Sequence, residues 1–367
     1  MLNDYSTSTA AATVLKMAYG YAIDTSGSDV LVGTIKSTIA NFSLAAVPMG
    51  WAVDIMPALR YLPDHFPGAG FKETARRWRK IVEASAYIPY KFVQRQMAAG
   101  EHRPSYVSKL VEQLERENGG LNAGDEEAII WSAASLYGAA ADTSVITLTA
   151  FTLAMIEFPE VQRKAQQEID RVIGNDRLPT FSDRVSLPYI NAVVKEATRW
   201  WPIAPMGFPH TATETFYHES MRIPKGAYLL PAVWWFLHDP SVYSDPESFD
   251  PGRFLPPRNE PEPETEAFGY GRRKCPGRFF ADAGIYLNIV QTLAAFNIGK
   301  AVDKGGQEIE VDVKQGSGIL TYPGKFAFDV QPRSVKHVDL VRQMEEQYRQ
   351  GDGDAALLEG MDEADAF

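Results

Sequence analysis

The 367-residue chain contains a single cysteine, Cys275. One thiol excludes an intrachain disulfide and any zinc or iron–sulfur centre assembled from several cysteines, and such scarcity suits a reducing compartment. Positive charge is also in deficit: 36 basic residues face 47 acidic ones for a net charge of −11, so the electrostatic footprint of a nucleic-acid binder is missing. Residues 1–13 have neither the basic start and apolar core of a secretory signal nor the length of an anchor, so the chain as written is expected without a membrane anchor and in the cytosol. No internal repeat is visible. What is present is a 45% hydrophobic composition, enough for a sizeable core in one large domain or two ordinary ones.

Apolar positions recur with helical period over most of the first two hundred residues, broken by Pro and Gly clusters at Pro63–Gly70 and Gly100–Pro104. Val30, Ile35, Ile39 and Phe42 fit one helix. Phe71 to Met97 fits a second, with an interruption expected at Pro89, and Val107 to Asn118 a third, ended by Gly119-Gly120. Beyond Met221 the texture changes. Met221–Ile223 and Ala227–Leu230 flank the turn Pro224-Lys225-Gly226 as a hairpin would, and Ile309–Val313 with Phe326–Val330 form a second strand group. A helix is expected from about Arg278 to Phe296. The acidic tail Gly351–Phe367 reads as frayed. The fold class is mainly α with small β-sheets.

Cys275 lies in Phe268-Gly269-Tyr270-Gly271-Arg272-Arg273-Lys274-Cys275-Pro276-Gly277, just before that helix. A sulfur acting alone is a nucleophile or one axial ligand. Nearby cations, amides of the glycine-rich turn and the positive end of a helix that Pro276 is placed to start all favour an anionic sulfur. The plainer reading is a buried small hydrophobe in a turn.

Ala128 to Ile156 holds one charged residue, Asp142, and would extend about 43 Å as a helix, long enough to cross a membrane. Its Ser, Thr and Ala content and the preceding Asp125-Glu126-Glu127 fit a buried soluble helix instead. Within it, Gly138-Ala139-Ala140-Ala141 leaves room for a bulky group, and the Thr143 hydroxyl can bond an upstream carbonyl and open the helix. Tight helix–helix contact is the alternative. Glu196 and Arg199 stand three apart on one helix face, and Arg253 in Phe249–Phe254 is a candidate second partner.

The Cys275 segment resembles the haem-binding loop of the cytochrome P-450 superfamily, in the pattern Phe268-x-x-Gly271-x-Arg273-x-Cys275-x-Gly277. Ala139–Ser144, Glu196–Arg199 and Phe249–Phe254 resemble three further motifs of that family, in its order, and the flavour is that of fungal members. The resemblance implies a haem-thiolate monooxygenase carrying heme b with Cys275 as axial ligand to iron. The resemblance further implies an apolar small-molecule substrate, in secondary metabolism or detoxification, and electrons from an NADPH-fed flavoprotein reductase. Asp142 and Thr143 would then deliver protons, with Ala139 beside the haem. His210 and Arg273 would meet the haem propionates, and Glu196, Arg199 and Arg253 would lock the segment before the loop onto the core. By position, Ile203, Ala204, Met206 and Phe208 with Gly318 and Ile319 would line the substrate pocket. The family's anchor, hinge and first strands are not recognisable, and neither Trp51 nor Trp78 has a basic residue four positions later. The expectation is therefore an amino-terminally incomplete catalytic domain over residues 1–340 with a disordered tail over 341–367. A non-catalytic relic and a small transporter built on residues 128–156 are the rival readings; family members usually sit at the endoplasmic reticulum membrane.

Overall fold

The structure, a computed structural model, describes residues 2–24, 29–47, 49–311, 313, 318–348 and 353–358, with side chains from Ala11 onward. It divides into two compact units. The first comprises residues up to Val145 together with the segment from Arg349, and the second is Ile146–Tyr348.

The first unit is helical: α1 (Leu2–Tyr19), α2 (Val30–Ala45), α3 (Ala52–Ile55), α4 (Gly70–Ala99), α5 (Tyr106–Asn118) and α6 (Ala123–Ala140). Helix α2 starts where the buried Asp29 carboxylate accepts the Leu31 and Val32 amides at 2.9 and 3.3 Å, satisfying two orphan donors. The same carboxylate accepts the Tyr21 hydroxyl at 2.7 Å. The face of α2 that packs is Leu31, Val32, Ile35 and Ile39, whereas Val30 and Phe42 of the expected stripe are exposed. Helix α4 runs through Pro89 without the expected interruption. Pro89 is buried among Ile88, Tyr90, Phe92 and Val93, and that packing outweighs one missing backbone bond. Asn122 caps α6 by accepting the Gly124 and Asp125 amides.

Helix α7 (Thr143–Glu157) carries the chain into the second unit, which continues with α8 (Pro159–Val172), α9 (Pro188–Trp200), α10 (Val233–His238), α11 (Glu264–Ala267), α12 (Arg278–Ala295) and α13 (Val335–Gln347). Helix α9 begins with Pro188 at its first position, and its next two amides, Tyr189 and Ile190, donate to the Glu168 carboxylate of α8 at 3.0 and 2.9 Å. Its inner face, Ile190, Val193, Val194 and Ala197, packs with Ile285, Ile289 and Leu293 of α12 and with Val161, Ala165 and Ile169 of α8. Each large side chain fully buried there contributes about 1.5–3 kcal/mol.

The strands pair differently from expectation. β1 (His210–Thr211) pairs with β4 (Tyr228–Leu229), and β2 (Phe216–His218) pairs with β3 (Met221–Ile223), so one ribbon is nested inside the other. Pro224-Lys225-Gly226 does make a turn, but the Gly226 amide donates to Ala212 and the Ala212 amide to Ala227, which returns the chain to the first strand. The remaining ribbon joins β5 (Phe296–Lys300) to β6 (Phe328–Pro332); Ile309–Val311 is not a strand, although the Ile309 amide donates to Ala301 O at 2.8 Å beside the Val302–Glu308 bridge. The outer edge of β5 meets α8: Gln162 accepts the Ile298 amide at 2.7 Å and donates to its carbonyl at 2.8 Å, and Gln166 donates to Phe296 at 3.0 Å.

Residues 341–347 belong to α13, and Gly353–Leu358 is folded, with Asp354 only 5% exposed, so the expected disorder of 341–367 is corrected there. The tail's other acids, Asp352, Glu359, Asp362, Glu363 and Asp365, lie outside the described residues.

Candidate functional site

In the second unit, the loop before α12 is held by its own backbone. The Cys275 amide donates to Phe268 O at 2.8 Å, and the Arg273 and Lys274 amides to Tyr270 and Gly271 at 3.2 Å each. Those three amides close the loop on itself. Gly271 adopts φ +54°, which a side chain would strain, and its neighbourhood leaves space beside the backbone. Pro276 does not start the helix: Gly277 is the N-cap, and α12 begins at Arg278 with no side chain capping it. A methyl group at Gly277 would lie 3.9 Å from the Cys275 sulfur, so the thiol stands next to the uncapped, positive end of an 18-residue helix. Cys275 is half-buried, and its sulfur makes no hydrogen bond among the described residues. The Arg278 guanidinium donates to Cys275 O at 3.2 Å. Arg273 is exposed without an ion pair among the described residues, and Phe268 lies half-buried between the loop and α9.

Behind this loop, Glu196, Arg199 and Arg253 meet with no exposure at all. Glu196 accepts Arg199 Nε at 2.8 Å, Arg253 Nε at 3.0 Å and the Asp250 amide at 2.8 Å. Arg199 also donates to the carbonyls of Leu237 and Pro246 at 2.8 Å, and Arg253 to Ser244 at 2.9 Å. A buried ion pair is tolerable only when its remaining donors are satisfied in this way. Sequence reasoning missed the fourth member: Glu260, in the proline-rich stretch, accepts Arg253 Nη1 at 2.7 Å, and the facing Arg253 and Arg258 guanidiniums hold its carboxyl below the usual range against the effect of burial. It also missed His238. That imidazole is stacked on Trp234 at 4.5 Å, donates through Nδ1 to Trp234 O, and is pushed down to about 4 by burial and then by the Arg199 charge. No local spacing signals either residue.

His210, at the start of β1, is exposed, its Nδ1 2.9 Å from Phe208 O. The structure stitches the two expected pocket segments together: Thr321 donates its amide to Ile203 O, and Trp201 Nε1 donates to Thr321 O, both at 2.8 Å. Ile319 is buried, Ile203, Ala204 and Gly318 are intermediate, and Met206 and Phe208 are exposed. Gly207 turns the chain between them at φ +55° against Pro231.

In the first unit, the apolar helix breaks at Ala141-Asp142. The Thr143 hydroxyl donates to Ala139 O at 2.9 Å, occupying the acceptor that a continuous helix would give to the Thr143 amide. Asp142 is half-buried at the break and Ala139 is exposed. The run 123–157 is the one helix among the described residues long and apolar enough to cross a membrane, and 72% of its most apolar window is buried.

The second unit thus carries a half-buried sulfur at a helix start with a sealed ion network behind its loop. The family model described as Cytochrome P450 matches residues 2–328. The chain is 49% identical to a multifunctional cytochrome P450 monooxygenase, af510, of Aspergillus fumigatus, over 95% of this chain and 66% of that protein. It is 47% identical to the cytochrome P450 monooxygenase CLM2 of Gibberella zeae, over 95% of this chain and 67% of that one. It is 39% identical to O-methylsterigmatocystin oxidoreductase of Aspergillus flavus, over 94% and 65%. The chain belongs to the cytochrome P450 family, whose cofactor is a haem-thiolate. It spans about two thirds of the length of the curated relatives it matches.

Proposed function

We propose that this chain is the haem-bearing part of a monooxygenase that inserts one atom of dioxygen into an apolar small molecule, with Cys275 as the axial ligand. The observation that carries this is the Cys275 sulfur, half-buried and beside the uncapped start of α12. The residues present fit the group: a sulfur engaged by no hydrogen bond among the described residues, a helix end that favours its anion, and exposed Arg273 and His210, whose donors suit propionates. When bound, haem supplies the dioxygen-activating iron, whose electronics the thiolate tunes.

The chain's own residues do the rest. The network of Glu196, Arg199, Arg253 and Glu260 holds the stretch 244–260 against α9, so the loop that follows starts from a fixed base. Thr143 keeps the α6–α7 junction open, and with Asp142 it positions a proton donor there. Met206 and Phe208, with half-buried Ile203, present apolar surface beside buried Ile319, which supports a greasy substrate. Electrons come from an NADPH-dependent flavoprotein reductase, for which Arg272, Lys274 and Arg278 offer cationic contacts.

The test is a carbon monoxide difference spectrum of the reduced protein loaded with haem. A strongly red-shifted thiolate band is expected for the native sequence and is lost in Cys275→Ala. A native protein that takes up haem yet lacks that band overturns the assignment of Cys275.

A further inference from the structure

The first unit holds its own carboxy-terminal segment as if it were a ligand. Asp354 Oδ2 accepts the Ala22 amide at 2.7 Å, and the Asp354 amide donates back to Ala22 O at 2.8 Å. The Arg103 guanidinium grips both carboxylate oxygens, Nη1 reaching Oδ2 and Nη2 reaching Oδ1 at 3.2 Å, while Nη1 also donates to Gly20 O at 2.9 Å. Charge-assisted bonds to a carboxylate that is 5% exposed distinguish it from an acidic residue left in water.

Gly353 sets a second condition. A Cβ there would fall 2.6 Å from Asp24 N, 2.7 Å from Asp24 Cα and 2.8 Å from the Ile23 carbonyl carbon, all backbone atoms with nowhere to go. The short turn Ala355–Leu358 then buries Leu358 to 8% exposure. Asp354 and Leu357 roof a cavity of about 190 Å³ whose walls include Tyr19, Phe92, Gln96 and His102. Tyr19 Oη and His102 Nδ1 are buried with no hydrogen-bond partner among the described residues.

We propose that residues 20–24 and Arg103 form a recognition site for a peptide of pattern Gly-Asp-x-x-x-Leu, filled in cis by the chain's own Gly353–Leu358. Glycine is selected by the backbone approach, aspartate by the Ala22 amide and Arg103, and leucine by burial. The site stands apart from the haem assignment, and neither depends on the other.

Hydrogen exchange of the full-length chain, read at the Ala22 amide by fragment mass spectrometry, tests it. Gly353→Ala and Asp354→Ala are each expected to speed Ala22 exchange by about tenfold or more, while amides of α12 keep their native rates and report an intact fold. An acetylated Gly-Asp-Ala-Ala-Leu-Leu peptide added to the Gly353→Ala chain is expected to restore protection, and the same peptide with alanine in first place is not. Unchanged Ala22 exchange in both variants overturns the proposal, as does failure of the first peptide or equal restoration by both. Protection in the native chain that grows with protein concentration overturns filling in cis and assigns the strap to a second copy.

Discussion

Arg253 Nε donates to Glu196 Oε1 at 3.0 Å across 57 positions of sequence, and neither side chain reaches solvent. Removing the carboxylate leaves Arg199 buried without a counter-charge and Arg253 with Glu260 alone. Glu196→Ala is expected to lose about 3–5 kcal/mol of stability, read as a lowered urea midpoint. A variant within about 1 kcal/mol of the native chain would show that water enters the network.

His238 makes folding sensitive to acid. Its folded pKa of about 4 lies below the ordinary value of 6.5, so between those limits the unfolded chain holds the extra proton. Its contribution to stability is complete above pH 6.5 and is lost as pH falls toward 4. A His238→Gln chain is expected to show a shallower decline over that window in denaturation series, and equal slopes would count against a buried neutral imidazole.

Thr143→Val removes the hydroxyl that takes Ala139 O. We expect exchange of the amides near 143 to slow as the helix closes over the break. Product formation by the reductase-supported enzyme is expected to fall by about a hundredfold, with reducing equivalents diverted to peroxide. Native coupling in this variant would remove Thr143 from proton delivery.

Gly207→Ala places a methyl group 2.3 Å from Pro231 Cγ at a backbone angle of φ +55°. Both the clash and the left-handed strain act, so the cost is expected to exceed about 1 kcal/mol. The thermal midpoint should drop, and spectral titration with apolar ligands should weaken because Met206 and Phe208 flank the turn. Ligand spectra unchanged alongside a lowered midpoint would separate this segment from substrate binding.

The cysteine loop was legible because the features that define it fall within Phe268–Gly277, and the helices were legible where apolar period persisted for several turns. The ribbons were misjudged for the converse reason. Strands of two or three residues, such as His210–Thr211 and Met221–Ile223, are too short to display alternation, and turn chemistry alone does not say which strand the chain returns to. Long-range polar partners leave no local pattern: Glu168 holding the start of α9, Glu260 on Arg253 and Asp354 on Arg103 are each set by folding over distance. Pro89 misled because a rule for exposed helices does not govern one whose proline is sealed in a core.

The paired glutamines of α8 have a protective consequence. A two-stranded ribbon normally offers unsatisfied backbone groups to any extended chain that drifts past, the usual start of sheet-mediated aggregation. Gln162 mimics an adjoining strand at Ile298 with one side-chain amide, and Gln166 covers Phe296, so this margin is closed to intruders by a helix.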